Sequence, residues 1–330
     1  MKNSFRTLIL TNKDITRLVD IKKSIGVVEK AFKAYALSKI QMPSKIYLPL
    51  GKYEGDFRAM PAYIQSMDAA AVKWVNVHPH NKKYNLPTVM GELVLSDPRN
   101  GFPLSIMDAT LLTSFRTAAA GAVAAKYLAR KDSKVLGLVG CGEQAKTQLQ
   151  ALRTLFAFKQ VKVWGHQLKL SQSFVKGLRN KNEEMIAVKS VSDCVKDADI
   201  IITTTPSRKP LVQLKWLKPG VHINAIGADA KGKIELEPLI LRNAKVIIDD
   251  WAQASHSGEI NVALARKVIN KRSIYGTLGD IVIGKKKGRI SQKEITVFDS
   301  TGLAIQDVAL AQLIYQTALK KKLGKTLQFI

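Results

Sequence analysis

Apolar and polar positions fall into three successive patterns along the chain. Over residues 11–40, Ile15, Leu18, Val19, Ile21, Ile25, Val28, Phe32 and Tyr35 recur at helical spacing. This stripe predicts one amphipathic helix or a helix pair, capped by Thr11 or Asp14. From Pro43 to Val94 the pattern changes to short alternating runs, at 45–50, 56–60, 70–77 and 88–95, punctuated by Gly, Pro and Asn. These predict strands of an antiparallel sheet or small barrel. Asp97-Pro98-Arg99-Asn100-Gly101 reads as a turn, and a further strand follows at 103–107.

The third pattern opens with an Ala-rich segment at 112–129, a predicted helix starting at Thr113-Ser114. Beyond it the period alternates between strand and helix. Strands are predicted at 135–139, 161–164, 185–188 and 200–204, with helices at 144–155, 171–178 and 191–195 between them. Strands at 221–225, 246–249 and 297–299 and a closing helix at 303–319 complete the chain. Such βα alternation predicts an α/β fold with a doubly wound parallel sheet. No low-complexity linker separates the parts, so the boundary near residue 112 rests on the change of pattern.

The segment Gly140-Cys141-Gly142-Glu143-Gln144-Ala145 sits between the predicted strand at 135 and the helix after it. Gly140 permits a tight turn, Gly142 lets backbone N–H groups approach a pyrophosphate, and Ala145 allows close helix–strand packing. The expected ligand is a dinucleotide at a helix N-terminus, where dipole and free N–H groups favour an anion. A carboxylate that would take the ribose 2′-OH of NAD is expected past the next strand. The stretch Val163-Trp164-Gly165-His166-Gln167-Leu168-Lys169 has none. His166 or Lys169 would tolerate a 2′-phosphate, which tips the expectation slightly toward NADP over NAD.

Composition adds bounds. An apolar fraction of 46% in 330 residues supports a real core. The apolar run Leu8–Leu10 is too short for a signal peptide and no stretch has the length of a membrane span, so the expected location is the cytoplasm, without a membrane partner. Cys141 and Cys194 have no metal-ligand spacing and read as buried reduced thiols. Lys plus Arg outnumber Asp plus Glu by 52 to 26, a net charge of +26. The basic runs Lys285–Lys287 and Lys320–Lys322 are short and not interleaved with aromatics, so they read as solvated lysines on turns and a helix end, not as a nucleic-acid surface. The field they create favours anionic metabolites.

Several residues could do chemistry. Lys73 interrupts the apolar run Ala69-Ala70-Ala71-Val72 and is followed by Trp74-Val75. A lysine there is costly unless its charge is paired, and a substrate carboxylate would serve. A strand-edge lysine reaching solvent along its stem is the alternative. Arg58 stands on a predicted strand and Arg116 in the first turn of the Ala-rich helix. Asp229 follows an apolar strand directly, at the carboxyl end where open α/β sheets bind ligands, and could exchange a proton with a substrate amine. Thr203-Thr204-Thr205-Pro206 ends another strand on that rim and offers hydroxyls to a ribose or nicotinamide. His78 and His80 share a strand face, but no further ligand is tied to them, so no metal site is expected.

These residues resemble the ornithine cyclodeaminase and mu-crystallin family, which includes archaeal-type alanine dehydrogenases and ketimine reductases. The resemblance runs through Lys73, Asn81, Leu86-Pro87, Gly91, Asp97 to Pro103, Leu112-Thr113 with Arg116-Thr117-Ala118-Ala119, and Gly140 to Ala145. It continues through Asp199 to Pro206, Pro219-Gly220 to Lys233, Glu235-Leu236, Gly258-Glu259, and Phe298-Asp299-Ser300-Thr301-Gly302 to Asp307. The resemblance implies a substrate and dimerisation domain, 1–112 with 303–330, a Rossmann domain, 113–302, and a homodimer. It implies that Lys73 and Arg116 hold an α-carboxylate, helped by Lys45 or Arg58, and that Asp229 is the acid/base, with Lys73 beside it in catalysis. Thr88, Thr113, Gln144, Thr204, Lys233 and Ser300 would line the cofactor. Lys45 stands where some members have Arg, which weakens a bidentate clamp.

The implied chemistry joins the Cα–H of an amino acid to a nicotinamide through an imine. Hydrolysis of the imine makes a dehydrogenase, reduction of a cyclic imine a ketimine reductase, and attack by a distal amine a cyclodeaminase. A non-catalytic NADP-binding role, as in mu-crystallin, is a further alternative. True cyclodeaminases resemble one another in a Gly-Gly-Asp-Cys-Pro-Gly-Lys run, whereas this chain has Gly227-Ala228-Asp229-Ala230-Lys231-Gly232-Lys233. That departure favours the NAD(P)-dependent oxidoreductase branch over cyclodeamination.

Overall fold

The computed structural model describes residues 6–328. The chain forms two compact units, one running through Arg116 and resuming at Leu303, the other spanning Thr117–Gly302. In the first unit the chain order is β1 (Thr7–Leu10), α1 (Asn12–Leu18), α2 (Ile21–Ala36), β2 (Ile40–Gln41), β3 (Ile46–Leu50), β4 (Gly55–Ile64), β5 (Ala69–Val77), β6 (Val89–Ser96) and β7 (Pro103–Asp108). Helix α3 (Thr110–Leu128) then carries the chain across the boundary. The apolar stripe of 11–40 resolves into two helices because Asp20 caps the second, its carboxylate accepting from the Lys23 N–H at 2.8 Å. Helix α3 opens at Thr110, three residues before the predicted start, because Asp108 accepts from the Thr110 N–H at 3.2 Å.

The second unit contains β8 (Val135–Val139), α4 (Glu143–Leu152), β9 (Gln160–Trp164), α5 (Leu168–Leu178), β10 (Glu184–Ala187), α6 (Val191–Val195), β11 (Ile200–Thr203) and β12 (His222–Ala225). It continues with α7 (Pro238–Asn243), β13 (Lys245–Ile248), α8 (Trp251–Ser257), α9 (Ile260–Ala265), β14 (Ile274–Thr277), α10 (Leu278–Val282) and β15 (Thr296–Asp299). Helix α11 (Ala304–Lys321) and β16 (Lys325–Leu327) belong to the first unit again.

The first unit's sheet has the order β16-β1-β7-β6-β5-β4-β2, with β3 also paired to β4. The alternating runs form β3 to β6, antiparallel to one another as expected and open, not closed into a barrel, but the sheet as a whole is mixed. The reason is β1, whose short apolar run pairs parallel with β7 and antiparallel with β16. Its buried face carries Met60, Ala62, Ile64, Ala71, Val75, Leu93 and Leu95, and α11 packs on α2, β4 and β5. The opposite face leaves Ile46, Leu48 and Val72 exposed, at 63%, 48% and 38%.

The second sheet runs β10-β9-β8-β11-β12-β15-β13-β14, every pair parallel. Leu136, Leu138, Ile200 and Ile202 pack with Leu149, Leu152 and Val175 on one face. Ile201, Ile223, Val246 and Val297 pack with Cys194, Ile240 and Ile260 on the other. Both faces are covered, which is why these strands read as continuous apolar runs. The chain winds from β8 outward to β10 and then returns to β11 on the other side of β8. The crevice between β8 and β11 is therefore the topological switch point, where such sheets bind ligands.

Among the described residues no helix is long and apolar enough to cross a membrane. Cys194 is buried as expected, but Cys141, in the turn between β8 and α4, is only half-buried, and both are free.

Candidate active site

Beginning in the second unit, Gly140 ends β8 with φ +121°, a conformation that disfavours any side chain, and a Cβ there would lie 2.4 Å from Thr204 Oγ1 beyond β11. The two loops of the switch point thus meet at Gly140. Gly142 is the N-cap of α4, with no side chain capping the helix and open space where a Cβ would stand. Thr204 Oγ1, Gln144 Oε1 and Ser300 Oγ are buried without a hydrogen-bond partner among the described residues. Uncapped helix N–H groups beside a glycine cradle and orphaned polar atoms fit the pyrophosphate, ribose and amide groups of a dinucleotide. Ala145 is fully buried against the sheet, while Glu143 is exposed and lies 3.7 Å from Lys146. His166 is exposed at the end of β9, and residues 164–169 present no carboxylate.

Asp229 lies four residues past β12, ion-paired with Lys233 at 2.5 Å. Its loop is held from below by Glu235, which is wholly buried and accepts from Thr203 Oγ1 at 2.6 Å, Thr205 N–H at 2.6 Å, Thr205 Oγ1 at 2.7 Å and Gly227 N–H at 2.9 Å. Burial raises the Glu235 carboxyl. Glu259 accepts in turn from the N–H groups of Glu235 and Leu236, and burial with the neighbouring Glu235 charge holds its carboxyl well above the usual carboxylate range. One carboxylate therefore ties the ends of β11 and β12 together. Thr205, expected at the cofactor through its hydroxyl, spends that hydroxyl on Glu235.

Turning to the first unit, Lys73 lies in the middle of the sheet on β5, with β4 and β6 on either side, and its side chain has no exposure. The strand-edge alternative is thereby excluded. The partner that the sequence left to a substrate is within the chain: Lys73 Nζ donates to Asp307 Oδ1 at 2.8 Å and to Thr113 Oγ1 at 3.3 Å. Burial, the adjacent Arg116 guanidinium and Lys45 bring its pKa down to about 7, against the opposing pull of Asp307.

Arg116 Nε lies 3.0 Å from the same Asp307 oxygen, and its Nη1 donates to Gln306 Oε1 at 3.0 Å. Arg58 pairs with Val75 across the sheet, two residues from Lys73 and on the same face. It bonds Asp56 Oδ1 at 2.7 Å and lies 5.2 Å above the Tyr47 ring. The structure thus brings Lys73 and Arg116 onto one buried carboxylate, with Lys45 close enough to act on Lys73 and Arg58 on the same face of the sheet. Thr88 immediately precedes β6, its carbonyl accepting from the His78 N–H at 2.8 Å. No cluster of three or more potential metal ligands occurs among the described residues.

Asp307, Gln306 and Glu235 are the residues that sequence reasoning did not select. The signal for Asp307 was present: it interrupts an apolar run, Ala304, Ile305, Val308 and Ala309, just as Lys73 does. Two buried opposite charges, each costly alone, are candidates for one another.

The parallel sheet, its switch point and the glycine loop define a nicotinamide-dinucleotide-binding α/β protein. The chain belongs to the ornithine cyclodeaminase/mu-crystallin family, whose profile matches residues 5–322. It is 49% identical over 325 residues to an alanine dehydrogenase of Archaeoglobus fulgidus, covering 98% of each chain. Among solved structures it resembles an archaeal alanine dehydrogenase dimer with bound NAD, with a TM-score of 0.95 and 48% identity over 98% of this chain and 100% of that one. It also resembles the Delta(1)-pyrroline-2-carboxylate reductase of Thermococcus litoralis in complex with NADH and L-proline, with a TM-score of 0.93 and 35% identity over 97% and 100%.

Proposed function

We propose that this protein is an NAD(P)-dependent oxidoreductase that interconverts a small L-amino acid and its imine or 2-oxo acid. The observation that carries the reading is the gathering of Lys45, Arg58, Lys73 and Arg116 in one unit of a chain whose other unit has a dinucleotide switch-point loop. Lysine and arginine side chains on one face suit a carboxylate ligand. Lys73 and Arg116 take the substrate carboxylate. Asp229 holds or returns the proton of the amine and of the water that opens the imine, and Lys233, bonded to it, fixes its direction. When bound, the nicotinamide supplies or accepts the hydride at Cα. Gly140, Gly142 and the N–H groups of α4 hold the pyrophosphate, and Thr204, Gln144 and Ser300 contact the remaining polar groups.

Alanine and pyruvate, or proline and its cyclic imine, are the substrates proposed first, because alanine dehydrogenase and pyrroline-2-carboxylate reductase relatives lie at 49% and 35% identity. Ala228 and Ala230 around Asp229 support the oxidoreductase branch over cyclodeamination. NADP is slightly favoured, since His166 and Lys169 occupy a segment without a carboxylate. The exposed apolar face of Ile46, Leu48 and Val72 suits a homodimer, and the cytoplasm is the proposed location.

The test is a substrate panel. Purified protein with NADH or NADPH is expected to consume cofactor with pyruvate plus ammonia, or with pyrroline-2-carboxylate. Flat absorbance throughout, or ornithine converted to proline with catalytic NAD, would overturn the reading.

A further inference from the structure

We propose that Asp307 is a positioning residue of the amino-acid site: its buried carboxylate bridges Lys73 and Arg116 and keeps Lys73 charged for the incoming substrate carboxylate. The proposal rests on the reading above that these two cations take that carboxylate.

Asp307 lies in the first turn of α11 and is 1% exposed. A single oxygen, Oδ1, accepts from Lys73 Nζ at 2.8 Å and is ion-paired with Arg116 Nε at 3.0 Å, while Oδ2 and Arg116 Nε are both buried without a hydrogen-bond partner among the described residues. A carboxylate serving structure alone is expected to satisfy both oxygens, as Glu235 does. Here the bonding is concentrated on the side facing the two cations. The preceding residue, Gln306, fixes the other edge of Arg116. Consecutive residues of α11 therefore orient a guanidinium carried by α3 and an ammonium carried by β5.

The charges around Lys73 come from several elements, while β6, the other neighbour of β5, places the uncharged Gly91, Leu93 and Leu95 on that face. Lys45 precedes β3, Arg58 is on β4, Arg116 is on α3 and Asp307 is on α11. Arg58 has its own partner in Asp56. Asp307 is thus the anion set against Lys73 and Arg116. Without it, the cation cluster and burial act together to strip the proton from Lys73, and a neutral amine attracts a carboxylate weakly.

The experiment measures kcat and KM between pH 5.5 and 9.5 for wild type, Asp307→Asn and Asp307→Glu, with the substrate that wild type turns over. Dinucleotide affinity is titrated by nicotinamide fluorescence. Asp307→Asn is expected to lose about tenfold or more in kcat/KM at pH 8, chiefly through KM, and less at pH 6. Its alkaline limb is expected to move down by about 1 in pH or more, with dinucleotide affinity unchanged. Asp307→Glu is expected to return the limb to its wild-type position.

A uniform loss at every pH, or an unmoved limb, would overturn the proposal and leave Asp307 a structural residue. Should Asp307→Asn fail to fold, Asp307→Glu decides alone: a limb at the wild-type pH with a raised KM supports the proposal, and a displaced limb sinks it. A wild type inactive on every amino and imino acid removes the functional reading and this proposal with it, an outcome separate from an active wild type with an indifferent Asp307 variant.

Discussion

The N–H of Gly227 donates to Glu235 Oε2 at 2.9 Å, so the loop that carries Asp229 is anchored by a buried carboxylate eight residues away. A Cβ at Gly227 would stand 2.5 Å from that oxygen and 2.3 Å from the Thr205 carbonyl, which leaves the position to glycine. Substituting Glu235→Gln keeps the shape but replaces an acceptor with a donor. Each stranded buried donor costs about 1–3 kcal/mol. The variant is expected to have a lower urea midpoint and a reduced kcat. Unchanged values in both would show that the four contacts of Glu235 do not organise the rim.

Gly140→Ala is expected to weaken dinucleotide binding by roughly tenfold or more, because the added methyl meets both an unfavourable φ and Thr204 Oγ1. Fluorescence titration with NADH and NADPH reads this directly. Retained affinity would remove the loop from the cofactor site.

Asp229→Asn preserves size and removes the proton acceptor. Turnover is expected to fall by about 10²–10⁴-fold while dinucleotide affinity holds within about twofold. Full turnover would assign the acid/base role elsewhere.

The pH dependence follows from Lys73. Its folded pKa, about 7, lies below the ordinary lysine value of 10.5, so protonated Lys73 is disfavoured by burial and present mainly below pH 7. Binding of a carboxylate requires the charged form, so kcat/KM is expected to fall as pH rises through about 7. The same displacement makes the native state less favourable below that pH and relieves it as pH rises toward 10.5, where the unfolded chain also loses the proton. Lys73→Arg stays charged throughout and is expected to abolish the alkaline limb, whatever its rate. A limb that survives the substitution belongs to another group.

Ile46→Asp combined with Leu48→Asp places charge on the exposed apolar face of the first sheet. Light scattering is expected to show a dimer for wild type and a monomer for the variant. A wild type that is monomeric at tens of micromolar would reject the homodimer.

By itself, the sequence determined the parallel α/β unit, because strands buried on both faces must read as apolar runs and each is followed by a helical period. It also determined the glycine loop, whose spacing carries its own mechanism, and the anomaly of Lys73, a charge inside an apolar strand. Tertiary structure alone decided which anion answers that charge. Asp307 is an anomaly in its own apolar run but lies 234 residues away, so only packing of α11 on the sheet pairs the two, at 2.8 Å. The mixed sheet was equally hidden, since β1 and β16 are four and three residues long and gain their identity from pairing, not from periodicity. Local pattern records what a residue must avoid, water or apolar surroundings. Only the folded chain supplies the partner that makes avoidance unnecessary.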